Sequence, residues 1–147
     1  MIVLLDTHSF IWFNLNDVRL SAAARQAIEN ADNQVLISPA SYWEIAIKIS
    51  RGKFTIAAPY DVFWQSGIDD NAFDILPIQL RHTSKLVSLP FHHKDPFDRL
   101  LVAQALIEQI PLISGDATLD AYGIKRIWQF SVWPWPLGVH PFSKITT

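Results

Sequence analysis

The second to fifth residues, Ile2 to Leu5, are all apolar, and the run stops on a carboxylate, Asp6. A strand with no polar alternation has no face to offer water, so it must be covered on both sides, as in a parallel sheet. The same grammar returns in "QVLIS" (Gln34 to Ser38) and in "PLISGD", which ends on Asp116. Between these runs lie stretches of helical character. "SAAARQAIENA" begins on a serine N-cap at Ser21, and "PASYWEIAIKISRG" has Pro39 near its first turn and Gly52 as its stop. "PYDVFWQSGIDD" reads as helix, "FDILPI" (Phe73 to Ile78) as a short third strand, and "QLRHTSKLVSLP" as an amphipathic helix closed by Pro90. "DPFDRLLVAQALIEQI" is the strongest helix, followed at once by the fourth strand. A short helix at "ATLDAYG" and a last strand near "IKRIW" complete the series. Strands alternating with helices predict an α/β fold, a central mostly parallel sheet between two helical layers.

Composition narrows the function. The 147 residues suit one domain with a full core, since half are hydrophobic and only 18% are charged. A net charge of −2 gives no global attraction for nucleic acid or membrane, so a polyanion must meet a local basic patch. The chain has no cysteine, which excludes disulfides, thiolate zinc sites and cysteine nucleophiles. The N-terminal apolar run is short, lacks basic residues before it and soon meets Asp6. It suits neither a signal peptide nor a membrane span, and a cytoplasmic protein is the expectation.

Four acids then stand out. In an open parallel sheet the functional crevice lies beyond the carboxyl ends of the strands, where Asp6 and Asp116 fall. Glu44 lies on the helix after the second strand, and Asp98 in the first turn of the long helix. Each has a plainer reading. Asp95 is an N-cap with Pro96 behind it, which puts Asp98 at N3, a favoured place for an acid. Glu44 follows Ser41 by three residues and fits a capping box if its helix begins at Ser41, and Asp116 suits the cap of the short helix after it. Asp6 has no such convenient helix-start pattern. Convergence of all four explains more than four separate coincidences. Carboxylates that close repel unless a cation compensates, and an oxygen-only set suits Mg²⁺ or Mn²⁺. Such ions activate water and stabilise the leaving oxygen in phosphodiester hydrolysis.

The stretches "LLDTHSFIW", "SPASYWEIAIKISRGK", "LPFHHKDPFDRLLVAQA" and "PLISGDATLDAYGIKRIW", in that order, resemble a PIN domain, and more narrowly the VapC-like ribonuclease toxins of type II toxin–antitoxin systems. The resemblance runs to about Trp128. It implies an α/β/α sandwich and a Mg²⁺- or Mn²⁺-dependent endoribonuclease. Asp6 and Glu44 would be the first two metal-site acids, Asp98 rather than Asp95 the third, and Asp116 the more variable fourth. It also implies an RNA substrate, a small antitoxin covering the groove, and a homodimer. Trp12, Phe13 and Trp43, on the early helices, are candidate contacts, with core packing as the competing role. Residues 129–147, rich in Pro and Trp, have no counterpart and are set apart from the nuclease domain at 1–128.

An acidic centre that grips RNA needs a basic rim. Lys48, Arg51 and Lys53 follow Glu44; Arg81, His82 and Lys85 precede the histidine stretch; His92, His93, Lys94 and Arg99 lie within it. Thr7, His93, Lys94 and Arg99 are the candidate substrate contacts, and His8 is another near Asp6. Solvated surface charge is the competing reading for each. Paired histidines also raise metal-free acid–base cleavage, which ranks below metal-assisted hydrolysis. Two further alternatives stand. A phosphatase-like enzyme would use "LLDTH", though that chemistry wants Asp where His8 stands. A non-catalytic interaction domain would keep the fold without its chemistry.

Overall fold

The structure is a computed structural model that describes residues 1–130. Five strands form its centre: β1 (Ile2–Leu5), β2 (Gln34–Ile37), β3 (Asp74–Ile75), β4 (Leu112–Ile113) and β5 (Arg126–Ile127). They make one all-parallel sheet in the order β3-β2-β1-β4-β5. The helices are α1 (Thr7–Asn14), α2 (Ala22–Glu29), α3 (Pro39–Ser50), α4 (Tyr60–Asp69), α5 (Leu80–Ser88) and α6 (Pro96–Glu108), with a 3-10 helix over Ala117–Tyr122.

The apolar strands divide their residues between two cores, because successive side chains point to opposite faces. Val3, Leu5, Val35, Ile37 and Ile113 join Phe10 of α1 and Trp64 of α4. Leu4, Leu36 and Leu112 join Leu101 and Val102 of α6 and Leu119 of the 3-10 helix. Both faces are therefore covered, as an unbroken apolar run demands. Leu4, Leu5 and Leu101 are fully buried, each contributing about 1.5–3 kcal/mol by leaving water.

Several sequence expectations are sharpened. The third strand pairs only at Asp74–Ile75: Phe73 turns into the core, and Pro77 has no N–H for the ladder. The helix of Glu44 starts at Pro39 with Ser38 as N-cap, so Ser41 lies inside it and the capping-box reading of Glu44 fails. Asp6, expected to lack a helix-start role, is the N-cap of α1, and its side chain accepts from the Ser9 N–H. The sequence alone does not bound α1, because its aromatic, asparagine-ended stretch carries little amphipathic signal. Asp95 and Asp116 are N-caps as read, and Asp98 stands at N3 of α6. The Pro/Trp-rich segment lies, beyond Phe130, outside the described residues. Among the described residues no helix is long and apolar enough to cross a membrane.

The sheet order fixes where chemistry can sit. From β1 the chain steps outward to β2 and β3, then returns to β4 on the other flank of β1. A reversal of this kind opens a crevice beyond the carboxyl ends of the two central strands. Asp6 and Asp116 follow those ends.

Candidate active site

Asp6 is held by the backbone that ends β1 and the turn that starts α1. Its Oδ1 accepts from the Ser9 amide at 2.8 Å, and the Ser9 hydroxyl donates to the Ile113 carbonyl at 3.1 Å, tying α1 to β4. Burial pushes the Asp6 carboxyl above the ordinary carboxylate range, against opposing hydrogen bonds from Ser114 and Ser9 and the charge of His8. Ser114 also accepts the Asp116 N–H at 3.1 Å, so one buried hydroxyl serves both acids of the crevice.

Asp98 enters from α6. Pro96 at N1 and the Asp95 side chain, which accepts the amides of Phe97 and Asp98 at 2.8 and 3.1 Å, set this helix start. Asp95 is thereby occupied as a cap, and Asp98 faces the crevice. Its carboxyl is pushed up to about 7, first by burial and then by the negative charges of Asp95, Glu44 and Asp6, with His93 pulling the other way. His93 Nε2 lies 2.9 Å from Asp116 Oδ2 and 3.6 Å from Asp98 Oδ2. Its Nδ1 accepts the Asp95 N–H at 3.0 Å, which places the ring proton on Nε2 and makes His93 a donor to Asp116. Burial raises the Asp116 carboxyl, but hydrogen bonds from Thr118 and His93 outweigh it and leave the group below its usual value.

Glu44, on α3, is 2% exposed and differently placed. The Thr7 hydroxyl donates to its Oε1 at 2.8 Å, and Lys48, one turn on, donates to Oε2 at 2.6 Å. Ser41 Oγ lies 3.0 Å from the Thr7 hydroxyl. Thr7 is buried, so it positions Glu44 rather than meeting substrate.

Asp6, Asp98 and Asp116 line one groove of about 500 Å³, together with His8, Trp12, Arg19, Gly115 and Trp128. Glu44 stands behind that lining, near enough to raise the Asp98 carboxyl. Asp98 and Asp116 each bring a carboxylate oxygen within 4.8 Å of the other, a spacing that fits one cation. A partly buried set of oxygen donors with excess negative charge is the chemistry a hard divalent ion satisfies. Arg99 is not brought to the groove: it is 8% exposed, donates to the Leu89 carbonyl at 2.8 Å and packs 3.9 Å from the Phe91 ring centroid. That arrangement braces the end of α5 against α6, because a buried guanidinium needs its partners nearby. Lys94 is exposed, and His92 packs edge-on to Tyr122. Arg81 and His82 pair with Glu108, at the opposite end of α6 from Asp98. Sequence reasoning missed Arg19, Trp128, Ser9 and Ser114. Ser114 sits two residues before Asp116, and only that closeness hinted at it.

A profile of the PIN domain matches residues 3–125. The chain belongs to the PIN domain family. It is 31% identical over 125 residues to Ribonuclease VapC22 of Mycobacterium tuberculosis, covering 84% of this chain and 94% of that protein. VapBC2 from Rickettsia felis, bound to a promoter DNA fragment, shares the fold with a TM-score of 0.61 at 15% identity, over 86% of this chain and 97% of that one. VapBC-1 from nontypeable Haemophilus influenzae gives the same TM-score and identity, over 86% and 96%. The PIN, VapC-like reading of the sequence and its parallel α/β sheet are thus borne out.

Proposed function

We propose that this PIN domain is a Mg²⁺- or Mn²⁺-dependent endoribonuclease that hydrolyses RNA phosphodiester bonds as the toxin of a toxin–antitoxin pair. One observation carries the reading: three acids from β1, α6 and β4 line one groove, and the carboxyl of Asp98 there is pushed up to about 7 by burial and by its acidic neighbours. The sequence relation to Ribonuclease VapC22 supports RNA as substrate. The VapC-like resemblance supports a small antitoxin as partner and a homodimer as the working form.

Asp6, Asp98 and Asp116 would hold the ion, with Glu44 behind them. When bound, the ion supplies an activated water and charge stabilisation for the phosphodiester. The chain does the positioning. Ser9 and Ser114 hold Asp6, the Asp95 cap and the α6 helix start aim Asp98, and His93 holds Asp116 through its Nε2 proton. Thr7 and Lys48 fix Glu44 as a charged residue beside the site.

The test incubates antitoxin-free protein with total RNA and Mg²⁺ or Mn²⁺, beside EDTA and Asp98→Asn controls. The expected result is cleavage lost in both, by at least about a hundredfold in the variant. Cleavage indifferent to EDTA rejects the metal mechanism, and none from metal-loaded wild type on any RNA supports the non-catalytic interaction domain.

A further inference from the structure

The acids line only part of the groove. The rest is aromatic and cationic: His8 and Trp12 of α1, Arg19 of the loop after it, and Trp128 just past β5. Resting on the ribonuclease reading, we propose that this wall is a stacking cradle for an unpaired nucleobase of the RNA strand whose phosphate the acids engage.

The wall is one connected surface. The Trp12 ring centroid lies 5.4 Å from that of His8 and 6.1 Å from that of Trp128, with ring planes tilted by 41° and 55°. Such tilts make no parallel slot, so a base is taken on a face rather than sandwiched. Gly115 admits the indole: a Cβ there would stand 3.0 Å from Trp128 Cζ2, on the loop that carries Asp116. The wall and the acids are therefore joined through β4. Arg19 is fixed as well. Its Nε and Nη2 donate to the two oxygens of Asp17 at 3.1 and 2.8 Å, and its guanidinium carbon lies 5.1 Å from the Trp12 centroid. A cation preset over an indole strengthens stacking and stands ready for a phosphate.

The occupant follows from this continuity. An RNA phosphate drawn to the acids through a cation carries its own bases within a few ångströms, and every base has a π-face. A duplex cannot present a face without unstacking, so the cradle selects loops and single strands. Partial packing of Trp12 and Trp128 against the first core is compatible with this, since both stay half-exposed and reach the groove.

The experiment measures fluorescence anisotropy of a single-stranded oligoribonucleotide of about ten nucleotides, and of an abasic oligomer of equal length and charge. Ca²⁺ replaces the catalytic ion. Wild type is expected to bind the intact strand roughly 5- to 100-fold more tightly than the abasic one. Trp12→Leu and Trp128→Leu should each move that ratio toward one while abasic binding stays unchanged, and Trp12→Tyr should retain most of it. Arg19→Ala, at an exposed position, lowers the ratio even where an indole variant does not fold. A wild-type ratio of one, or a ratio untouched by Trp12→Leu, Trp128→Leu and Arg19→Ala, overturns the cradle and leaves the wall to core packing or to a protein partner. The two readings separate cleanly. Metal-dependent cleavage with a ratio of one keeps the nuclease and rejects the cradle, whereas base-dependent binding without cleavage does the reverse.

Discussion

Two acids of the site, Glu44 buried behind the crevice and Asp98 half-buried in it, occupy opposite electrostatic situations. Glu44 has a hydroxyl on one oxygen and an ammonium on the other, at 2.8 and 2.6 Å. Asp98 has its carboxyl raised to about 7 by burial first and then by three acids, with only His93 against them. The first is complete without help. The second carries its charge at a cost that a nearby cation would relieve, as expected of a metal ligand.

The contrast breaks if neutralising the two acids has the same effect. In EDTA at pH 8, Asp98→Asn should stabilise the fold by about 1–3 kcal/mol, because repulsion leaves with the charge. Glu44→Gln should destabilise it by about 1–2 kcal/mol, because Lys48 loses its ion pair. Chemical denaturation measures both, and equal signs would end the distinction. The pH dependence has a definite sign. The folded-state carboxyl of Asp98 titrates near 7, above its unfolded value of about 3.9, so the folded state binds the extra proton between them. Its contribution is full below pH about 4 and is lost as pH rises through about 7. The stability difference between wild type and Asp98→Asn should therefore widen over that window, and Mg²⁺ or Mn²⁺ at pH 8 should restore wild type alone.

How much of this was legible in the sequence follows from range. β1, β2, α3 and α6 announced themselves because their signals are local: unbroken apolar runs, Gly52, Asp95–Pro96. The four acids were found because strand ends and helix starts can be counted along the chain. What separates Glu44 from Asp98 was not legible. Lys48 is one helical turn from Glu44 and could be guessed as a partner, but Thr7 comes from α1, and of the acids that raise Asp98 only Asp95 is local, while Glu44 and Asp6 come from α3 and the end of β1. Arg19 was invisible because its loop carries no periodic signal. Arg99 reads in sequence as either a structural or a phosphate contact, and it takes the structural place because adjacency to Asp98 puts it on another side of the helix, under Leu89 and Phe91.

Lys48→Met sharpens the comparison by making Glu44 resemble Asp98. With its counter-ion gone, Glu44 becomes a second uncompensated buried acid. The expected cost is about 1–2 kcal/mol at pH 8, kept modest because the Lys48 side chain is 36% exposed. The loss should shrink in high salt, which weakens the wild-type pair. A salt-independent loss would mean that Lys48 contributes packing by its methylenes instead of charge.

The smallest effect belongs to His93, whose two nitrogens join the Asp95 cap to Asp116. With Nδ1 accepting a backbone N–H, the ring offers Nε2–H to Asp116 and has no lone pair for an ion or for a proton taken from water. It is therefore a positioning residue. His93→Ala should lower cleavage roughly tenfold, as loss of a partner that orients a metal ligand does, and leave the shape of the pH–rate profile alone. A histidine acting as general base gives a different result: a loss of about 10²- to 10⁴-fold and disappearance of one limb of that profile. Measuring kcat against pH for His93→Ala beside Asp116→Asn decides it. If the two variants fall together and keep the wild-type profile, His93 acts through Asp116, and the acids alone carry the chemistry.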